Sequence, residues 1–400
     1  MKLRAQGLYR GVSWLQAALL PLVLAVALGP GAAAAQDQDS TDSSEGLQTQ
    51  GGKKKYRKRQ TRPIKLATSG GNLEDKTFFN CCDGTLGALV EKDGIQYILS
   101  NNHVLARSNK GRKGEAIIQP GLSDQDLACI ADRSDADTVA HLSGRKKIRF
   151  ADGKKNWVDA ALAEVVPGAV RTDGELVKIG VPGNTPAEAF IGMSVKKAGR
   201  KTGLTRGTVI AVNTTILEVE YPDECGSISA RTARFVDQII IAGGSKAFSG
   251  PGDSGAMVYE DVSECPSPVG LLFAGNDEIT AANPAARVLR QAGMMRPKGT
   301  ATFVGCTPSA PALQTLSNEV PILRERQVRD ATGVMRRWEE ELLSSPGIHG
   351  VGIGMTLSGP VEPAIYVLAN ESREEVMKRL PETLDGYRIE VIRTDNLVAY

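Results

Sequence analysis

Between residues 63 and 306 the apolar positions fall in short runs, each closed by a glycine-rich break, and this pattern constrains the fold most. Residues 85–90 and 96–100 flank Glu91-Lys92-Asp93-Gly94 and read as a β-hairpin. Residues 207–212, 216–221, 235–241, 256–259 and 269–273 read as further strands, with one helix expected over 284–292. Forty-three glycines, 20 prolines and only 5% aromatic residues favour turns and short strands over long helices. Repeated short strands with such punctuation indicate an all-β barrel or sandwich.

The flanks differ from this region. Lys2, Arg4 and Arg10 precede an apolar run over 14–28 and then small residues Ala32 to Ala35. These are the parts of a secretory signal peptide, 1–35, and the run is shorter than the ~20 residues a spanning helix needs. Residues 36–62 read as a disordered basic linker, polar at first and then crowded with Lys53, Lys54, Lys55, Arg57, Lys58 and Arg59. A solvated tether is one reading of that charge run; a processing site or anionic contact is the other. After a Pro-rich linker, 307–321, residues 322–400 change character. Helical spacing over 323–343 and 374–380 alternates with strands at 348–355, 364–368 and 387–392, which describes a small α+β accessory domain.

Export suits the six cysteines, an even number for an oxidising compartment. Cys81 and Cys82 are adjacent, so each is expected to pair elsewhere, and six cysteines allow 15 connectivities. No cysteine–histidine cluster suggests a metal site. A net charge of +2 gives no reason to expect nucleic acid.

Three features carry chemistry. His103, one of three histidines, follows the apolar strand Tyr97-Ile98-Leu99-Ser100 and enters a loop. Ser254 lies within Gly250-Pro251-Gly252-Asp253-Ser254-Gly255, where glycines can turn tightly and aim backbone N–H groups at one point. Asp159 begins the apolar stretch Asp159-Ala160-Ala161-Leu162, where a buried carboxylate needs a partner such as an imidazole N–H. A serine hydroxyl becomes a nucleophile when an imidazole takes its proton, and the imidazole needs an acid to set its tautomer. The order His, Asp, Ser and the wide spacing place the first two in one half and the serine in another.

These segments resemble the trypsin-like (chymotrypsin-fold) serine peptidases, and Leu99-Ser100-Asn101-Asn102-His103-Val104 with Thr85-Leu86-Gly87 is most similar to a bacterial branch related to the plant narrow-leaf proteins. The resemblance covers 63–306. It implies two six-stranded β-barrels with the active site between them. It further implies a protein or peptide substrate, an acyl-enzyme on Ser254, and an oxyanion hole from the amides of Gly252 and Ser254. Residues 199–205 look like the family's turn after the interbarrel connection, and 269–275 like the strand lining the substrate cleft. A substrate pocket of Phe248, Phe273 and Gly275 is implied, with Phe248 in place of an acid arguing against Arg or Lys preference. Two departures stand out: Val104 replaces the cysteine of animal members, and no Ile-Val-Gly-Gly is present to insert beside Asp253, so direct folding to an active form is expected. The C-terminal region is similar to the ferredoxin-like propeptides of other proteases, implying an inhibitory, chaperoning or docking role; a stabilising role is the alternative. No cofactor is called for. The reading is an exported, secreted or cell-envelope serine endopeptidase. The alternatives are an esterase with the same triad and a catalytically idle scaffold. Ala256 disfavours the Gly-x-Ser-x-Gly elbow of α/β-hydrolases.

Overall fold

A computed structural model describes residues 55–126, 129, 134–151, 153–308 and 323–399. The proposed signal peptide, the tether up to residue 54 and most of the 307–321 linker lie outside the described residues. In chain order the elements begin with β1 (Thr68–Asn72), β2 (Gly84–Leu86), β3 (Ala88–Lys92), β4 (Ile95–Ser100), α1 (Asn102–Leu105), β5 (Ala116–Ile118), α2 (Ser134–Asp137), β6 (Thr138–Arg145), β7 (Lys155–Asn156) and β8 (Ala161–Val165). They continue with β9 (Ser194–Gly199), β10 (Gly203–Pro222), β11 (Ala230–Gly243), β12 (Met257–Glu260), β13 (Pro268–Gly275), β14 (Ile279–Pro284), α3 (Ala285–Met294) and β15 (Ala301–Phe303). The last group is α4 (Glu325–Ser344), β16 (Ile348–Met355), β17 (Pro363–Ala369), α5 (Arg373–Met377), β18 (Thr383–Leu384), β19 (Tyr387–Arg393) and β20 (Leu397–Ala399).

The hairpin expected from sequence forms between β3 and β4, with Lys92 opposite Ile95. The turn is tighter than expected: Asp93 (φ 53°) and Gly94 (φ 77°) alone close it, because a two-residue hairpin turn needs positive φ at both positions. The α-β-β-α-β order over the C-terminal region is also present. In α4 the buried Ala331, Val334, Met335 and Leu342 recur at helical spacing and pack on β16 and β17.

The two six-stranded barrels do not describe the sheets. The strands form one eight-stranded sheet, β15-β3-β4-β8-β6-β5-β1-β2, and one twelve-stranded sheet. The cause is the 20-residue, repeatedly bulged β10. It pairs with β9 and β11, then with β16 at Val212, Thr215 and Ile216, and so carries the sheet on into β17, β19 and β18. The fold is thus mainly β with an added α+β region that shares a sheet with the rest.

A second correction concerns the basic tether. Tyr56, within the stretch read as disordered, is 4% exposed; its carbonyl accepts from Ser69 N at 2.7 Å and its hydroxyl from Leu204 N at 3.1 Å. Arg59 of the charge run pairs with the buried Asp137. An aromatic anchor and a paired cation turn the end of that stretch into part of the fold.

Candidate active site

All six cysteines are paired, Cys81–Cys129, Cys82–Cys225 and Cys265–Cys306, so the adjacent pair does diverge. Cys82–Cys225 ties the loop after β1 to the connection between β10 and β11 and borders a cleft between the two sheets. His103, Tyr221, Pro251, Gly252 and Ala399 line the same cleft.

His103 sits in the single turn α1, which leaves β4 at Ser100. Its Nδ1 lies 2.6 Å from Oδ2 of Asp159, a fully buried residue just ahead of β8. Every remaining contact of that carboxylate is a neutral donor. Oδ1 accepts the backbone N–H groups of Asn102 (2.6 Å) and His103 (3.3 Å), and Oδ2 accepts the Tyr221 hydroxyl at 2.9 Å. The backbone is gripped as well: Asp159 N donates to Asn283 Oδ1 at 2.9 Å, and Asn101 Nδ2 donates to the Asp159 carbonyl at 2.8 Å. Asn283 is held in turn by Gln238, whose Oε1 accepts its amide at 2.6 Å. Tyr221 and Asn283 belong to β10 and β14 of the other sheet, so the acid of one sheet is set by side chains of the second. Tyr221 also stands edge-on to the His103 ring, centroids 5.7 Å apart. Burial, reinforced by the Asp159 charge, raises its phenol well above the ordinary value, so it stays a donor.

Ser254 is buried, and its Oγ donates to the carbonyl of Phe273 at 3.1 Å. Its own carbonyl accepts Thr85 N across the junction at 2.8 Å. Thr85 ties the loop down further, donating its hydroxyl to Gly252 O at 3.0 Å, while Ser100 Oγ donates to Thr85 O at 2.8 Å. Contact is close: a Cβ at Gly84 would meet Val104 Cγ2 at 2.6 Å and Ser254 O at 2.8 Å. Gly255 (φ 88°) has no alternative, since a Cβ there would fall 1.9 Å from Ser100 Oγ. The serine loop is therefore pressed against the strand that delivers His103.

Asp253 is oriented differently. Its carboxylate accepts Lys201 N (2.8 Å), Thr202 N (3.2 Å), Gly250 N (3.1 Å) and Thr202 Oγ1 (2.6 Å), and pairs with Lys197 Nζ at 3.1 Å. Both side chains are fully buried. Burial lowers the Lys197 ammonium from its ordinary value, with Asp253 opposing that shift. An internal lysine thus supplies the cation beside Asp253.

Of the residues implied for a substrate pocket, Phe273 and Gly275 lie on β13, Phe273 with its carbonyl on Ser254. The Phe248 ring is buried at 2% in the core with the Lys197 ammonium 5.8 Å from its centroid. Gly252 takes φ 106°. Tyr221, Asn283 and Lys197 escaped the sequence reading, and Thr85 entered it only as part of a family-like segment, not for its hold on the serine loop. Tyr221 was visible only as the last residue of the alternating strand Ile216-Leu217-Glu218-Val219-Glu220-Tyr221, and Asn283 as the residue before Pro284.

A mainly-β fold with a His–Asp pair and a Gly-flanked serine at the junction of two sheets resembles the chymotrypsin-like serine proteases. The family model Nal1 C-terminal domain matches residues 145–283. Protein NARROW LEAF 1 of Oryza sativa subsp. japonica is 33% identical over 92 residues, which are 22% of this chain and 14% of that protein's length. Among solved structures, a glutamic acid specific serine protease (TM-score 0.38, 17% identity) covers 60% of this chain and 100% of its own. Thermobifida fusca protease A (TM-score 0.38, 14% identity) covers 61% of this chain and 99% of its own. Nocardiopsis protease (TM-score 0.35, 14% identity) covers 57% and 94%.

Proposed function

We propose that this chain is a serine endopeptidase acting through Ser254, His103 and Asp159. The observation that carries the reading is the 2.6 Å contact of His103 Nδ1 with a buried carboxylate whose other contacts are neutral donors. With Nδ1–H donated to Asp159, the lone pair of His103 lies on Nε2, the tautomer a general base requires. Ser254 Oγ attacks the substrate carbonyl and its proton passes to Nε2. The oxyanion that forms is held by the N–H groups of Gly252 and Ser254. His103 then gives the proton to the leaving amine as the C–N bond breaks, and water cleaves the acyl-enzyme by the same relay. The pinning of the serine loop by Thr85 and Asp253 supports this reading, because such geometry costs no reorganisation at the moment of reaction.

The same reading includes export to an oxidising compartment, supported by three disulfides that use every cysteine. Among the described residues no helix is long and apolar enough to cross a membrane.

The test is covalent labelling of the protein from Gln36 onward with a fluorophosphonate probe, with the adduct mapped by peptide mass spectrometry. Labelling on Ser254 that disappears in His103→Ala is the expected result. Label on Ser254 that persists without the imidazole, or a folded protein that takes up none, would overturn the triad.

A further inference from the structure

The short strand β20 lies at the centre of the site rather than at the margin of the C-terminal region. It runs between two strands that each hold a site residue. Along β10 it is parallel, with Val219 opposite Leu397 and Glu220 opposite Val398; the next residue of β10 is Tyr221, the donor to Asp159. Along β13 it is antiparallel, with Gly275 opposite Val398 and Ala274 opposite Ala399. The next residue of β13 is Phe273, whose carbonyl accepts the Ser254 hydroxyl. From Val398 to Ala399 the strand therefore advances toward Ser254, and Ala399 lines the cleft with His103 and Gly252.

We propose that Leu397–Ala399 is a resident pseudo-substrate, occupying the groove between β10 and β13 in which an extended apolar peptide binds. The proposal rests on the peptidase reading only for the peptide's fate. Strand addition to an open sheet edge is a general mode of peptide capture, with main-chain bonds for affinity and alternate side chains for selectivity. At about 3.3 Å per residue, a peptide in the place of β20 sets the residue after the one opposite Ala274 against Phe273, beside the Ser254 hydroxyl. Leu397 is fully buried with Tyr221, Phe235 and Phe273, and Ala399 is 5% exposed, whereas Val398 is half-buried. The groove thus selects a branched aliphatic residue at the position of Leu397 and a small one at that of Ala399.

The strand is held in place from the added α+β region. Thr394 N donates to Ala369 O at 2.8 Å, and its carbonyl accepts His349 Nε2 at 2.9 Å. Asn276 Nδ2 reaches Thr394 Oγ1 (2.7 Å) and the Asp395 carbonyl (2.9 Å). These bonds anchor the segment just ahead of β20 and leave the three-residue strand itself as the exchangeable part.

The experiment uses the full chain, two variants (Val398→Pro, which removes a ladder N–H, and deletion of 396–400), and a fluorescein-labelled peptide of sequence Thr-Asp-Asn-Leu-Val-Ala. If β20 fills the groove, the peptide binds each folded variant at least about tenfold more tightly than the unaltered chain, because the competent fraction rises. Folded variants that bind it no more tightly overturn the proposal. Hydrogen exchange on the unaltered chain gives a readout that no variant can spoil. Millimolar peptide should speed exchange at 397–399 and leave 274–275 protected; unchanged exchange at 397–399 also overturns it. Fluorophosphonate labelling runs in parallel. Tighter peptide binding without any label on Ser254 keeps the groove and removes the peptidase. Label on Ser254 with no gain in peptide binding does the reverse.

Discussion

Two buried aspartates flank the chemistry, and their surroundings differ in kind. Asp159 is met by the His103 ring, two backbone N–H groups and a phenol, none of them a fixed cation. Asp253 is met by backbone N–H groups, a hydroxyl and the Lys197 ammonium. A fixed cation on Asp159 would compete with the imidazolium that forms during the proposed reaction, so neutral donors leave its charge available to His103. Asp253 has no such task. Its partner can be a permanent ion, and the pair ties the serine loop to β9 and β10. In the proposed reaction one carboxylate orients a proton carrier, while the other fixes a backbone.

Substitutions should separate these roles. Asp159→Asn keeps the shape of the site but favours the wrong imidazole tautomer, so turnover of a peptide ester should fall about 10⁴-fold with the melting temperature nearly unchanged. An equal loss of both would make Asp159 a structural acid. Lys197→Met leaves Asp253 buried without its cation, and breaking a buried pair from one side costs about 3–5 kcal/mol. Urea unfolding should register that loss. A variant as stable as the parent would mean the backbone donors suffice. Tyr221→Phe removes one donor to Asp159, a charge-assisted bond of about 1.5–3 kcal/mol. Turnover should drop by about tenfold while the KM for a small ester stays constant. A rise in KM alone would assign Tyr221 to binding instead.

How much of this was legible in the sequence depends on the range of the interaction. The hairpin at Asp93-Gly94, helix α3 and the C-terminal alternation of helices and strands follow from local period and turn chemistry, and all are present. His103, Asp159 and Ser254 stood out because their residue types and neighbours are unusual, and the structure brings His103 onto Asp159. The sheet count failed because nothing local in residues 203–222 reveals that β10 runs on past β9 and, still paired with β11, also pairs with β16. Tyr221 and Asn283 were missed for a similar reason: each acts on a residue more than 60 positions away. The packing of Tyr56 was hidden by the lysines and arginines around it, whose composition argues for solvent.

A third acid sharpens the comparison because nothing compensates it as fully. Asp75, half-buried at the cleft, is raised from its ordinary value to about 7, first by burial and then by the neighbouring Asp83 charge, while Arg107, His103 and Lys110 pull the other way. A raised carboxyl means that the folded chain holds a proton the unfolded chain has already lost. Stability is therefore favoured below pH ~4 and declines as pH rises through about 7, the reverse of the slope a salt-bridged aspartate produces. Asp75→Asn removes that decline. Its melting temperature should match the parent at pH 4 and exceed it at pH 8 by on the order of 2 °C, since the group is partly solvated. The same offset at both values would show that the amide acts through packing and that Asp75 ionises freely. An offset confined to high pH would place it with neither Asp159 nor Asp253, as a cleft carboxyl that the fold tolerates mainly in its neutral form.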